Sequence, residues 1–341
     1  MAQTTPQFRI DVRPRLPIWG LRLLLGAVLL TFSEVVMWQN PVAHRPFDWP
    51  ILLILYVALA AIMLDLTVRF QVRDPGSMLL IGTAYALIHA AALNPGVFVS
   101  FPVTLLVRGL GLQTAAGVYA LLLFVIVMRG KQLVPWHLLG AVAIGVLWGV
   151  WLHWFPLQTA VGWGLVPLAT AQTYAVILLV AVGLLFFFVG PRFRVIREKQ
   201  FELLWWERAV AIVPLFIAVL IGMVQNLIPI FPLLVIIAMG AYVGWALNFQ
   251  RYGYDPSILA EIMFAAPNLI NYVAFSVVFF VTGVLAYGLI VDKDTLIGNI
   301  LYYVVLGFGT LALPTASVLI FFTYLNRRSQ EKAEEDAEGD D

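Results

Sequence analysis

The sequence predicts an all-α integral membrane protein with about ten transmembrane helices. Hydrophobic residues make up 62% of the 341 residues. Charged residues make up only 11%, against roughly 25% in ordinary soluble domains. The apolar residues also fall into segments of about 20, the length that crosses a bilayer. This composition excludes a soluble enzyme, a nucleic-acid-binding protein and a disordered scaffold, and the lipid bilayer is the first predicted partner.

Ten apolar segments, bounded by charges, prolines, glycines or interfacial aromatic residues, are predicted to span the membrane. They lie at about 17–38, 50–69, 76–93, 110–129, 135–154, 168–190, 206–225, 231–249, 266–290 and 297–325. The first is not expected to be a cleavable signal peptide, because an arginine-containing polar arm precedes a long apolar run and no cleavage site follows. The last two are long, and we expect them to be tilted or kinked near Pro267 and Pro314.

The positions of Lys and Arg test the ten-span topology independently. With a cytoplasmic N-terminus and alternating spans, 17 of the 20 Lys and Arg residues fall on the inner side. Only Arg45, Arg108 and Lys293 fall on the outer side. The positive-inside rule expects this asymmetry. It predicts a multi-pass protein of a prokaryotic inner (cytoplasmic) membrane with both termini in the cytoplasm.

The chain resembles itself at an offset of about 186 residues, which indicates an internal repeat. Trp19 and Arg22 in the first span match Trp205 and Arg208 in the seventh. An Asp-Pro pair, which starts helices, recurs at 74–75 and 255–256. An even number of spans separates the equivalents, so two parallel four-helix repeats are predicted, spans 1–4 and 7–10, as in parallel-repeat transporters. Chance similarity among apolar helices is the alternative.

The predicted organisation has five parts. These are a cytoplasmic basic arm at 1–16, membrane repeat 1 at 17–132, a linking helix pair at 133–192, membrane repeat 2 at 193–328, and a disordered acidic cytoplasmic tail at 329–341. Disorder is expected in the tail because it is acidic and lacks apolar anchors. The stretch from Asn94 to Gln113 is interrupted by prolines and glycines, which favours a surface helix or a re-entrant segment over a span.

Ionisable residues at membrane depth are the first candidates for function, because burying a charge in a bilayer is costly. Glu34 in the first span and His89 in the third are predicted to reach similar depths, roughly 18 and 21 Å from the inner side at 1.5 Å per residue. If their spans are neighbours, they would form a carboxylate–imidazole pair able to relay a proton or bind a cation. In the alternative, each side chain separately meets a backbone carbonyl or the headgroup zone.

Other candidates lie nearer the inner ends of the spans. Asp65 and Arg69 are one helical turn apart, and Arg22 is at comparable depth. The three are predicted to form a structural charge cluster, with Asp65 also a candidate ion ligand. Asn268 and Asn271, at the start of the ninth span, are candidates for binding an ion or polar substrate. Their amides would otherwise bond across a helix interface.

No motif in the sequence identifies a family, a catalytic residue, a cofactor or a metal site. Cysteine is absent, and the four histidines are not spaced as metal ligands. The favoured hypothesis is a carrier-like protein that moves an ion or small solute through a site between the repeats. The alternatives are a non-catalytic structural subunit of a larger membrane complex and an intramembrane lipid-modifying enzyme with His89 as base. Membrane-protein partners or a homo-oligomer fit these hypotheses, whereas nucleic acid does not.

Overall fold

The protein is helical throughout the computed structural model, which describes residues 15–39, 41–130, 135–154, 166–192, 197–250, 256–262, 267–289 and 296–338. These ranges contain no strand, and they contain ten helices that are long and apolar enough to cross a membrane. The helices are α1 (Leu16–Leu30), α2 (Asp48–Arg69), α3 (Pro75–Ala92), α4 (Thr114–Met128), α5 (Pro135–Trp154), α6 (Leu168–Val189), α7 (Trp205–Val224), α8 (Ile230–Asn248), α9 (Leu269–Leu289) and α10 (Leu296–Glu338). The predicted class, an all-α membrane protein with ten spanning helices, is confirmed.

Two of the spans include a π-helical stretch. α1 continues through a π-helix at Thr31–Val36, and α4 is preceded by another at Leu105–Gln113. In a π-helix the hydrogen bonds skip one residue more than in an α-helix, and such stretches occur frequently at functional sites. Trp148 of α5 donates from its indole Nε1 to the carbonyl oxygen of Val35 at 3.1 Å. The first π-helix is therefore held by a neighbouring helix as well as by its own hydrogen bonds.

Contacts between helix ends show that α9 runs antiparallel to α4 and to α6. We call the end of the bundle at which α1 begins the near end, and the opposite end the far end. At the near end, the Asn268 N–H donates to the Val127 carbonyl at 2.8 Å, joining the start of α9 to the end of α4. At the far end, the Tyr287 hydroxyl donates to the Val166 carbonyl at 2.9 Å, joining the end of α9 to the start of α6. The positive-inside pattern predicts that the near end is cytoplasmic.

The first four helices form the buried centre of the protein. Leu25, Leu64, Leu80 and Phe124, one from each of these helices, are completely buried. In contrast, at most 33% of the most apolar stretch of each of α6 to α10 is buried, and the remainder is partly or fully exposed. Such exposed apolar surface is suited to contact with lipid, which is as apolar as the side chains themselves.

α5 and α9 form the most extensive helix interface and run in the same direction. His137 Nε2 contacts the carbonyl oxygen of Asn271 at 3.3 Å near the start of both helices. His153 Nε2 contacts the carbonyl oxygen of Tyr287 at 2.9 Å near their ends. Between these contacts, Gly145 lets the two backbones approach, as small residues do where membrane helices cross.

Replacing Gly145 by Ala is expected to destabilise the protein, because the added Cβ would collide with Thr282 Oγ1 and lie 2.6 Å from the Phe279 carbonyl oxygen. Overpacking of this kind costs about 1–3 kcal/mol. Thermal unfolding in detergent should therefore occur at a lower temperature than in the wild type. Gly288→Ala, also in α9, is the matched control, because no atom lies within 4 Å of a Cβ at that position. Equal unfolding temperatures for the two variants would contradict this explanation.

The acidic tail differs from the predicted disordered segment. α10 has 43 residues and continues as a helix to Glu338, well past the predicted span at 297–325. The added residues include Gln, Glu, Lys and Ala, which have high helix propensities, and extending an existing helix avoids the cost of nucleating a new one. Residues 339–341 of the tail and 1–14 of the predicted basic arm lie outside the described residues.

The interrupted stretch from Asn94 to Gln113 also differs from the prediction. Its first part is a short 3-10 helix at Pro95–Phe98, and its last part is the π-helix that begins the fourth span at Leu105. The prolines and glycines obscured this earlier start because they break the apolar pattern that marks a span. As a result, Arg108 lies inside the fourth span rather than outside it.

The internal repeat stays a prediction, and its two halves have different surroundings. Gly26 brings α1 onto α2, since a Cβ there would lie 2.8 Å from the Cα of a residue in α2. Ile212, which lies 186 residues further along the chain, instead lines an open groove formed by α2, α3, α7 and α8. Asp74 caps the start of α3. Of the second Asp-Pro pair, Asp255 lies outside the described residues, and Pro256 precedes a short 3-10 helix instead of a spanning one.

Candidate functional site

A layer of buried polar side chains crosses the first four spans near the far end. It is formed by two residues of the first π-helix, one of α2, two of α3 and the last residue of the second π-helix: Ser33, Glu34, Tyr56, Tyr85, His89 and Gln113. Buried polar groups are destabilising unless they are hydrogen-bonded. The six side chains of this layer are hydrogen-bonded mainly to one another.

Tyr56 joins Glu34 to His89. The Tyr56 hydroxyl donates to Glu34 Oε1 at 2.7 Å and lies 2.9 Å from His89 Nε2. A tyrosine hydroxyl has a single proton, so His89 Nε2 donates to the Tyr56 oxygen in this arrangement. His44, from the loop after α1, places its Nε2 3.1 Å from Glu34 Oε2. We call the sequence His44–Glu34–Tyr56–His89 the acid–base chain.

A second set of hydrogen bonds adjoins the acid–base chain. Ser33 donates to Gln113 Oε1 at 2.7 Å, and the Tyr85 hydroxyl lies 2.5 Å from Ser33 Oγ. Because the Ser33 proton is directed to Gln113, Tyr85 donates to Ser33. The Tyr85 ring centroid lies 5.7 Å from that of His89, so the two sets are in contact.

The structure therefore brings the predicted residues Glu34 and His89 together through a tyrosine and not in direct contact. The direction of the hydrogen bonds depends on where the protons are. Ionised Glu34 accepts from Tyr56, whereas protonated Glu34 is able to donate to Tyr56, which then donates to His89 Nε2. His89 Nδ1 is buried and has no hydrogen-bond partner among the described residues. A change of protonation at Glu34 can thus be transmitted to the His89 tautomer.

A cavity of about 430 Å³ opens at the far end and reaches Glu34. Exposed Ala43 and Pro95 lie at its rim, and buried Glu34 and Trp151 lie at its floor. Its described lining comes from the end of span 1 and the loop beyond it, from the end of α3 and the following turn, from span 4 and from α5. The cavity thus lies within the predicted first repeat and α5. The predicted site between the two repeats stays a prediction.

Arg108 is a cation without a partner in this cavity. Within the described ranges, no hydrogen bond or ion pair joins its guanidinium to another group, and its Nε is buried. Asn94, another lining residue, has a buried Nδ2 that is likewise unpartnered there. Gly96 leaves room beside them, since a Cβ at this position would lie 2.9 Å from Arg108 Nη1. Unsatisfied donors and a guanidinium without a direct ion pair favour a ligand with anionic acceptor oxygens.

The net charge of the cavity depends on the protonation of His44. The ionisable side chains in its described lining are Glu34, His44 and Arg108. With His44 neutral, the charges of Glu34 and Arg108 cancel. With His44 protonated, the lining carries a net positive charge, so protonation makes the cavity a better site for an anion.

The pKa of His44 is expected to depend on Glu34. The hydrogen bond to the Glu34 carboxylate raises the pKa of His44, partial burial opposes the increase, and the charges of Glu34 and Asp48 add to it. Because the folded protein binds this proton more tightly, the stabilisation is complete below the unfolded pKa of about 6.5. It is lost as the pH rises through the raised pKa. NMR titration of the His44 ring should give a lower pKa in Glu34→Gln than in the wild type, and an unchanged pKa would contradict the assignment.

The predicted cluster of Asp65, Arg69 and Arg22 is divided in the structure. Arg69 Nη2 lies 3.0 Å from each carboxylate oxygen of Asp65. Arg22 is not part of this pair, because its Nη1 lies 2.9 Å from Oε1 of Glu207 in α7. The sequence did not indicate Glu207 as the partner of Arg22, because the two residues are 185 positions apart. Glu207 also stands at a helix start, where the favourable interaction of a carboxylate with the helix dipole is a sufficient explanation for it.

Asn268 and Asn271 lie at the near end, apart from the cavity. The Asn268 Oδ1 accepts from the Ile270 N–H at 2.9 Å, which forms a turn at the start of α9. The Asn271 carbonyl oxygen is the group that His137 contacts. Asn268 and Asn271 thus lie at the start of α9. Asp65 also lies at the near end, so none of the three residues adjoins the acid–base chain.

The predicted candidates omitted four members of the polar layer and two ionisable residues of the cavity. They are Ser33, Tyr56, Tyr85 and Gln113, and His44 and Arg108. For the two tyrosines a signal existed, because a hydroxyl in the middle of a span needs a buried partner. His44 and Arg108 gave no such signal, since both were predicted to lie outside the membrane.

No group of three or more His, Asp or Glu side chains suited to a metal occurs in the part of the chain that the structure describes. No protein-family model matches the chain, and no curated protein or solved structure matches it. The fold and the buried apolar helices define a multi-pass helical membrane protein. Its function has to be argued from the cavity and the acid–base chain.

Proposed function

We propose that the protein is a proton-coupled carrier of a small organic anion. The observation that carries this proposal is that the acid–base chain meets, at Glu34 and His44, the same cavity in which Arg108 has no partner. The anion binds through a carboxylate or similar group to Arg108. The coupled proton binds to Glu34 or His44.

Electrostatics links the two binding events. A proton on Glu34 or His44 makes the cavity more positive and so strengthens the binding of an anion. By reciprocity, the bound anion raises the proton affinity of the same two groups. Tyr56 and His89 extend this linkage into α2 and α3. The packing of α2 and α3 is then able to respond to the binding of the proton and the anion.

The unpartnered Arg108 favours this function over the two alternatives. A structural subunit gains nothing from a partly buried guanidinium that has no partner among the described residues, because desolvating an unpaired charge is destabilising. A lipid-modifying enzyme with His89 as base requires a lipid to reach that ring. His89 is completely buried and is separated from the cavity by Tyr56 and Glu34.

Transport of small carboxylates into proteoliposomes tests the proposal. The wild type should take up one or more members of a panel of such anions. Arg108→Gln should lower uptake about 10- to 100-fold, because a hydrogen bond to a charged group contributes about 1.5–3 kcal/mol. Arg45→Gln is the matched control, since Arg45 is an exposed far-end cation outside the cavity. Wild-type uptake by Arg108→Gln would contradict the proposal.

A further inference from the structure

A second cavity, of about 660 Å³, lies on the side of the molecule and is lined by α2, α3, α7 and α8. Its floor is apolar and buried, with Leu87 of α3 and Val243 of α8 exposing 2% and 1% of their surface. Its rim is apolar and exposed, with Phe216 of α7 and Ile237 of α8 exposing 58% and 57%. We call this cavity the lateral groove. In a membrane-spanning protein such a groove opens toward lipid.

Among the described lining residues, charged side chains occur at the near end of the lateral groove and not along its apolar length. They are Asp65, Arg69 and Arg208. The Asp65 carboxylate is already bound by Arg69 at 3.0 Å and by the Leu203 N–H at 2.7 Å. The exposed Arg208 side chain has no hydrogen bond or ion pair to any described residue. The near end of the groove therefore has a net positive charge and a free guanidinium.

The length of the lateral groove corresponds to one leaflet of a bilayer. From Arg208 to Val219 along α7, the lining covers about 16 Å at a rise of 1.5 Å per residue. The hydrocarbon core of a bilayer is about 30 Å thick, so one leaflet contributes about half of that. An acyl chain with its headgroup at Arg208 would fill the groove and end near the middle of the bilayer.

Two glycines of α8 leave space in the lateral groove. Gly240 and Gly244 line it, one helical turn apart. At Gly145 the missing side chain permits close packing against another helix. At Gly240 and Gly244, in contrast, a Cβ would have no atom of the described residues within 4 Å. These two glycines do not serve helix packing, and their effect is to keep the groove open.

We propose that the lateral groove binds one anionic phospholipid of the near-end leaflet. Its phosphate pairs with Arg208 and Arg69, and one acyl chain lies along Gly240 and Gly244. The net positive charge at the near end of the groove favours an anionic headgroup, since basic pockets between membrane helices bind such headgroups. The site is separate from the far-end cavity and does not depend on the carrier function.

Native mass spectrometry of the purified full chain, after incubation with phosphatidylglycerol or phosphatidylcholine, tests this site. The wild type should retain one phosphatidylglycerol in preference to phosphatidylcholine. Gly240→Leu should lose this lipid, because the new side chain occupies the groove, and its Cβ would have no described atom within 4 Å. Gly307→Leu is the matched control in α10, where a Cβ also has no atom within 4 Å, and it should retain the lipid. Arg208→Gln should lower retention of phosphatidylglycerol about fivefold.

Three results would overturn the proposal. The first is equal retention of the two lipids by the wild type, and the second is retention of phosphatidylglycerol by both Gly240→Leu and Arg208→Gln. The third is a dimer without bound lipid, which would place a second copy of the chain in the groove. If Gly240→Leu does not fold, Arg208→Gln still decides the question, because it alters an exposed side chain that has no partner among the described residues.

Discussion

Replacing Glu34 by Gln is expected to abolish proton-driven accumulation of the anion while anion exchange persists. Gln has nearly the same size as Glu and is still able to accept from Tyr56, but it does not bind a proton at physiological pH. Arg108 is unchanged in this variant, so the anion continues to bind. In proteoliposomes, a proton gradient should drive accumulation by the wild type and not by Glu34→Gln, whereas exchange of labelled anion without a gradient should be measurable for both.

Two further variants complete this test. Glu261→Gln removes a carboxylate that pairs with Arg129 at 2.6 Å at the near end, and it should accumulate anion as the wild type does. Tyr56→Phe removes only the hydroxyl that joins Glu34 to His89, and it should weaken the proton dependence while uptake continues. Accumulation by Glu34→Gln at the wild-type level would show that the acid–base chain has no part in coupling.

Replacing either Arg22 or Glu207 alone by Ala is expected to destabilise the protein by about 3–5 kcal/mol, because it leaves an uncompensated charge. Both side chains are completely buried, and their closest N–O distance is 2.9 Å. Trp19 reinforces the pair by donating from Nε1 to Glu207 at 3.1 Å. The pair joins α1 to α7, so unfolding in detergent should occur at a markedly lower temperature in either single variant.

The double variant Arg22→Met with Glu207→Leu distinguishes loss of the pair from loss of packing. It removes both charges and replaces them with apolar side chains, a change that is often neutral or stabilising in buried pairs. We expect it to be more stable than either single variant. A destabilisation equal to the sum of the two single effects would instead mean that the residues act independently.

Most of the fold was predictable because hydropathy and charge constrain it independently. The second span, for example, was predicted at 50–69 and is observed at Asp48–Arg69. The fourth span was predicted to start too late, because prolines and a glycine interrupt the apolar pattern just before it. The helical end of α10 was missed because an acidic composition suggests disorder. High helix propensity and continuity with the preceding helix instead favour helical structure there.

Less of the site was predictable, because its contacts are made between helices. Glu34 and His89 were recognisable as ionisable residues within apolar segments. Tyr56 connects them only because α2 packs between α1 and α3, which local sequence does not specify. The partner of Arg22 was likewise unpredictable, since the choice between Asp65 and Glu207 depends on how α7 packs against α1.

Proton uptake during anion binding is the measurement that tests the proposed coupling most directly. Purified protein in weakly buffered detergent solution is mixed with a transported carboxylate, and the pH is followed with an indicator dye. Because anion and proton binding favour each other in the far-end cavity, the wild type should take up protons as it binds the anion, and Glu34→Gln should take up markedly fewer. Anion binding by the wild type without any proton uptake would contradict the account.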